Sequence, residues 1–131
     1  MKVKRLNAVM TIEMAIIIPL VLFMVMGLIL TIFYFHDKNI LNGAASETAV
    51  VGSARLRDSE EVDEEDLENF CRERIQGKCI FLVSHRIDVS VSDTEVVVEV
   101  TAAKRDFSIF VIKKAVVTEP ERKIRNMRRL T

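Results

Sequence analysis

The sequence predicts an α+β fold: a long membrane-spanning N-terminal helix that continues outside, a short second helix, and a small antiparallel sheet of about three to four strands. Three observations carry this. Residues Met14–Phe35 form an uncharged, almost entirely apolar run of 22 residues. A small-residue helical stripe follows it. Beyond Ile80 the chain alternates apolar and polar residues at the period of a strand.

As a helix the apolar run reaches roughly 33 Å at about 1.5 Å per residue, which matches the hydrocarbon thickness of a bilayer. Pro19 is tolerable there, although it removes one hydrogen bond and favours a kink. Tyr34 and His36-Asp37-Lys38 mark the outer interface. Lys2, Lys4 and Arg5 place the N-terminus in the cytoplasm by the positive-inside rule, so residues after 36 lie outside. A buried soluble helix fits this length poorly. An ordinary secretory signal fits poorly too, because its apolar region is about 7–15 residues and a small-residue cleavage site follows closely. Here the nearest such site, Gly43-Ala44-Ala45, lies well beyond the run.

Five segments follow: a basic leader, 1–8; the transmembrane helix, 9–36; its extracytoplasmic continuation, 37–57; a small helix-plus-antiparallel-sheet domain, 58–118; and a basic C-terminal tail, 119–131. In the continuation, Leu41, Ala45, Ala49, Gly52 and Leu56 recur at spacings of three and four, which is one helix face. Its small side chains permit close approach, chiefly to the domain's own sheet. Ser59 with the carboxylates of the next turn suits a helix N-terminus. Leu67, Phe70, Cys71 and Ile75 form its stripe, and Gly77 can end it. Ile80–Val83 is a short apolar run. Ile87, Val89 and Val91 alternate in one strand and Val96, Val98 and Val100 in the next, across a Ser92-Asp93-Thr94 turn. Residues 107–118 supply a third. Short connections favour an antiparallel meander with one face on the helix and one wet.

Charge excludes several functions. Lysine plus arginine equals aspartate plus glutamate at 19 each, so no net field recruits nucleic acid. Trp is absent and Tyr34 is the sole tyrosine, which leaves no stacking platform for carbohydrate or single-stranded nucleic acid. Asp58–Glu68 holds eight carboxylates in eleven residues but lacks the spacing of a calcium loop. A solvated helix start is the better reading. Cys71, Cys79, His36 and His85 lack the paired spacing of a zinc site, and no triad has a recognisable context, so neither metal, cofactor, catalytic residue nor small-molecule substrate is expected. Cys71 and Cys79 lie on the predicted outer side, where oxidation would permit a disulfide; two buried free thiols are the alternative. The five cations of Arg122–Arg129 read as a solvated tail, or as a contact for a neighbouring subunit's acids, anionic lipid or wall polymer.

Glu13 is the anomaly. A carboxylate at the threshold of hydrocarbon is costly unless something pairs with it, which makes it a functional residue by default. The segment Ala8-Val-Met-Thr-Ile-Glu13 resembles the processing site of type IV pilin-like proteins. The string Met10-Thr-Ile-Glu-Met-Ala-Ile-Ile-Ile-Pro19 is similar, more specifically, to the TadE family of pseudopilins, with Thr11, Glu13, Ala15 and Pro19 matching in type and spacing and Ile12 replacing valine.

The resemblance implies cleavage between Ala8 and Val9 by a prepilin peptidase, with Ala8 standing where glycine is usual. It implies a minor subunit of a tight-adherence pilus, with the bilayer, other pilin-type subunits and the pilus inner-membrane platform as partners and cell adhesion as the setting. Glu13 would then be the register group. The competing class is a membrane-anchored extracytoplasmic binding or scaffold module that does not polymerise; removal of the leader after residue 45 would leave a soluble secreted domain.

Overall fold

The computed structural model describes residues 2–58, 62–117 and 128. The chain forms two compact units, Met1–Phe35 and His36–Thr131. The elements are helix α1, Lys2–Arg57; helix α2, Glu64–Ile75; and strands β1, Ser84–Val91, β2, Glu95–Lys104, and β3, Phe107–Val116. This is the expected α+β class, with three strands.

In the first unit every described side chain from Met10 to Ile32 is exposed, although nearly all are apolar. Such a surface is unstable in water and is satisfied by hydrocarbon. Thr31 closes its own polar group within the helix, its hydroxyl donating to the Gly27 carbonyl at 2.8 Å. Tyr34 and Phe35 meet edge to face, ring centroids 5.7 Å apart. Length and composition make α1 the one described helix able to cross a membrane, with a mean hydropathy of 2.9 over its most apolar window.

In the second unit the meander forms in the order β1-β2-β3, both pairs antiparallel. Ile87, Val100 and Val111 share one cross-strand row of the inner face. The core joins this face to Leu41, Ala45, Ala49 and Gly52 of α1 and to Leu67, Cys71 and Ile75 of α2. Leu56, expected on the same stripe, is half-buried. Gly52 marks the closest approach. A Cβ built there would lie 2.9 Å from Leu67 Cδ1 and 3.1 Å from Val96 Cγ1.

Three boundaries differ from expectation. Helix α2 begins at Glu64 rather than at Ser59, which lies outside the described residues. Asp63 is its N-cap, accepting a hydrogen bond from the Glu65 N–H at 3.1 Å. Glu64 in turn accepts from the Val91 N–H at 2.9 Å, tying the helix start to the end of β1. The third strand stops at Val116, and the Val117 N–H donates to the Thr94 carbonyl. Ile80–Val83 is not a strand, because its backbone donors are taken by a side chain described next. The basic tail and most of the acidic stretch before Val62 also lie outside the described residues.

Candidate functional site

The residues of the N-terminal motif lie within one helix. Ala8 and Val9 are helical, as are Thr11, Glu13, Ala15 and Pro19. At about 100° per residue, Thr11, Ala15 and Pro19 drift only about 80° around the axis. Glu13 projects roughly 200° from Thr11, almost opposite. Its neighbours one turn away, Met10, Ile16 and Ile17, are apolar and exposed, so the carboxylate is set into a hydrocarbon-seeking surface. The helix supplies no basic side chain at these positions.

A second carboxylate, among the residues expected to mark the outer interface, is held by the fold itself. Asp37 is fully buried. It stands one turn before Leu41 on the buried stripe of α1. Its Oδ1 accepts from the Ile80 N–H at 2.8 Å; its Oδ2 accepts from the Phe81 and Leu82 N–H groups, each at 2.7 Å. The His36 Nδ1 lies 3.2 Å from Oδ1. Burial alone would push the Asp37 carboxyl up, but the three backbone donors, with His36, outweigh it and hold it below its ordinary value. These short, charge-assisted bonds explain why residues 80–82 pair with no strand among the described residues. The apolar run Ile80–Val83 therefore serves as a clasp.

Cys71 and Cys79 stand as free cysteines in this structure, the first buried and the second half-buried. Cys71 is buried beside Thr48 of α1, and Cys79 lies near Asp37. Burial raises the Cys71 thiol. Burial and the Asp37 charge push Cys79 up to about 11. Because the thiolate is the nucleophile, alkylation of Cys79 in the folded full-length chain at pH 8 is expected to be about 100-fold slower than that of an ordinary thiol of pKa 9.0. Cys71 is expected to react only on unfolding. Site-resolved mass spectrometry after iodoacetamide checks both; labelling that starts only after a reductant is added would show the two joined instead. Among the described residues no three His, Cys, Asp or Glu side chains are gathered as a metal ion would require.

Residues 8–50 match the family model of TadE-like proteins. This stretch is TadE-like. The TadE-like match begins at Ala8, includes Thr11, Glu13, Ala15 and Pro19, and continues through Asp37 to the buried stripe of α1. The match covers about a third of the chain and takes in the apolar part of α1 that is long enough to cross a membrane. No curated protein and no solved structure matches the chain. Asp37 could have been found in the sequence by extending the four-residue spacing of Leu41, Ala45 and Ala49 one step back.

Proposed function

We propose that this chain is a minor pseudopilin, a single-pass subunit that packs its N-terminal helix with other pilin-type helices in a tight-adherence pilus. The supporting observation is the TadE-like match over residues 8–50, on a helix whose apolar side chains from Met10 to Ile32 are all exposed. The N-terminus is cytoplasmic and the His36–Thr131 unit extracytoplasmic. Prepilin peptidase cuts between Ala8 and Val9. The new ammonium at Val9 then stands one helical turn from Glu13, within reach of that carboxylate on its own or a neighbouring helix. Pairing removes the penalty of an isolated charge in hydrocarbon and sets the axial register between subunits. Assembly exchanges lipid for neighbouring helices around an unchanged apolar surface.

Two measurements test this. Intact mass of the natively expressed chain is expected to give a protein beginning at Val9; a chain beginning near Glu47 defeats the reading, and an intact Met1 favours an anchored module that does not polymerise. Glu13→Ala is expected to insert into membranes as the parent does and to fall at least about tenfold in recovery with assembled fibres, the loss of one buried ion pair being worth about 1.4 kcal/mol or more. Equal incorporation of the variant removes the register role.

A further inference from the structure

The register of the sheet sorts the second unit into two ends of opposite character. At one end the β1–β2 turn meets the start of α2, gathering Asp63, Glu64, Glu65, Asp93 and Glu95, of which Glu95 pairs with Lys114 at 3.9 Å. At the other, Ser84 pairs with Ala103, and Ala103 with Ser108, so the Ile80–Val83 clasp adjoins the β2–β3 hairpin tip. There the Phe81 and Phe107 rings meet edge to face with centroids 5.5 Å apart, and the Lys104 Nζ sits 4.7 Å from the Phe81 centroid. Ile80 is 54% exposed, Val83 75% and Phe107 53%. Lys104 and Arg105 are exposed beside them, with Asp106 the one carboxylate of the tip. Arg105 holds φ +51°, a left-handed backbone that glycine would adopt without strain. A cation occupies it instead.

This apolar and basic end is fixed to a known point along the chain. The backbone of residues 80–82 is bonded directly to Asp37. Asp37 is two residues beyond Phe35, and two residues reach at most about 7 Å in any conformation. If Met14–Phe35 spans the bilayer, chain connectivity alone keeps Asp37 and the backbone bonded to it near headgroup depth. Exposed aromatic and aliphatic side chains flanked by Lys and Arg are what that layer solvates, since rings and stems enter the acyl boundary while cations meet lipid phosphates.

From this we infer that Ile80, Phe81, Val83, Lys104, Arg105 and Phe107 form a membrane-seated foot that binds the interface of an anionic bilayer and holds the acidic end of the domain away from it. The inference rests on the reading of residues 14–35 as a membrane span. Its occupant is the lipid surface itself, chosen by continuity with that span and by the charge polarity of the domain.

The chain has no tryptophan, so single introduced tryptophans report position without background. The full chain is reconstituted in bilayer nanodiscs carrying lipids brominated near the interface, as Val83→Trp, Phe107→Trp, Ile112→Trp and, in the span, Phe23→Trp. Trp at 83 and at 107 is expected to emit to the blue and to lose about half its emission to bromine, whereas Trp at 112, on the opposite face of the sheet, stays unquenched. Full exposure of 83 and 107 while 23 is quenched overturns the foot and leaves the span intact; failure of 23 to be quenched overturns the span and the foot together. Protection that follows protein-to-lipid ratio instead of bromine assigns the patch to a second copy and overturns the lipid reading. Phosphatidylglycerol is expected to deepen the quenching at 107, and K104Q with R105Q to abolish that increment; equal quenching in neutral lipid removes the role of the cations.

Discussion

Replacing Asp37 with asparagine is expected to destabilise the His36–Thr131 unit by about 3 kcal/mol. An amide offers one acceptor oxygen where the carboxylate offers two, and it turns an N–H toward backbone N–H groups that are themselves donors. At least one of the Ile80, Phe81 and Leu82 donors is left unpaired, in a site where the native carboxylate is fully buried. The measurement is thermal or urea unfolding of the full chain in mild detergent, with proteolysis at Lys78 as a local readout of clasp release. Loss of less than about 1 kcal/mol would mean that the donors find water without penalty. The same carboxylate makes the unit acid-sensitive. Its folded pKa lies below the ordinary 3.8, so its stabilisation is fully present above that value. It is lost as pH falls through the folded pKa, so unfolding on acidification should begin only below about pH 4. Asp37→Asn should flatten that acid limb.

Gly52→Leu is expected to be of similar size. Glycine inside a helix ordinarily sacrifices about 1 kcal/mol against alanine, so a replacement at an open position would stabilise. At Gly52 even a Cβ meets Leu67 Cδ1 at 2.9 Å and Val96 Cγ1 at 3.1 Å, both residues being fully buried. Leucine adds three further carbons to that contact and must push α1 away from α2 and β2. A loss of about 2–3 kcal/mol follows from overpacking. Gly43→Leu is the matched control, since nothing lies within 4 Å of its added Cβ. If both variants unfold alike, helix propensity and not close approach governs Gly52.

Much of the fold was legible because it rests on local periodicity. Val96, Val98 and Val100 face inward as their alternation requires, and Leu41, Ala45, Ala49 and Gly52 form the buried stripe that their spacing describes. The spacing puts Asp37 on that stripe, but its role was not legible, for a physical reason. Its partners are backbone N–H groups 43 to 45 residues away, and backbone donors have no signature in a sequence. An acid beside an apolar run then reads as a solvated marker. Ile80–Val83 failed for the complementary reason, since an apolar run says nothing of which acceptor takes its donors. The exposure of Phe110, Ile112 and Val116 on the outer face was equally hidden, because the Phe107–Val116 run is apolar at both parities. On the N-terminal helix, the pattern from Thr11 to Pro19 was legible as a motif, whereas its roles depend on chemistry between chains.

The clasp also imposes an order on biogenesis. On the topology proposed above, a chain delivered N-terminus first presents Asp37 to the far side of the membrane well before Ile80, Phe81 and Leu82 emerge. For the passage of more than forty residues the carboxylate has water and His36 as its company, and the helix behind it is free to settle in the bilayer. Closure onto the three N–H groups joins residues distant in sequence, so it waits for α2 and the chain as far as Leu82, and it precedes the passage of β1, β2 and β3. The Asp37 bond would then be the first long-range contact of the domain to close, a fixed anchor already in place when the sheet folds.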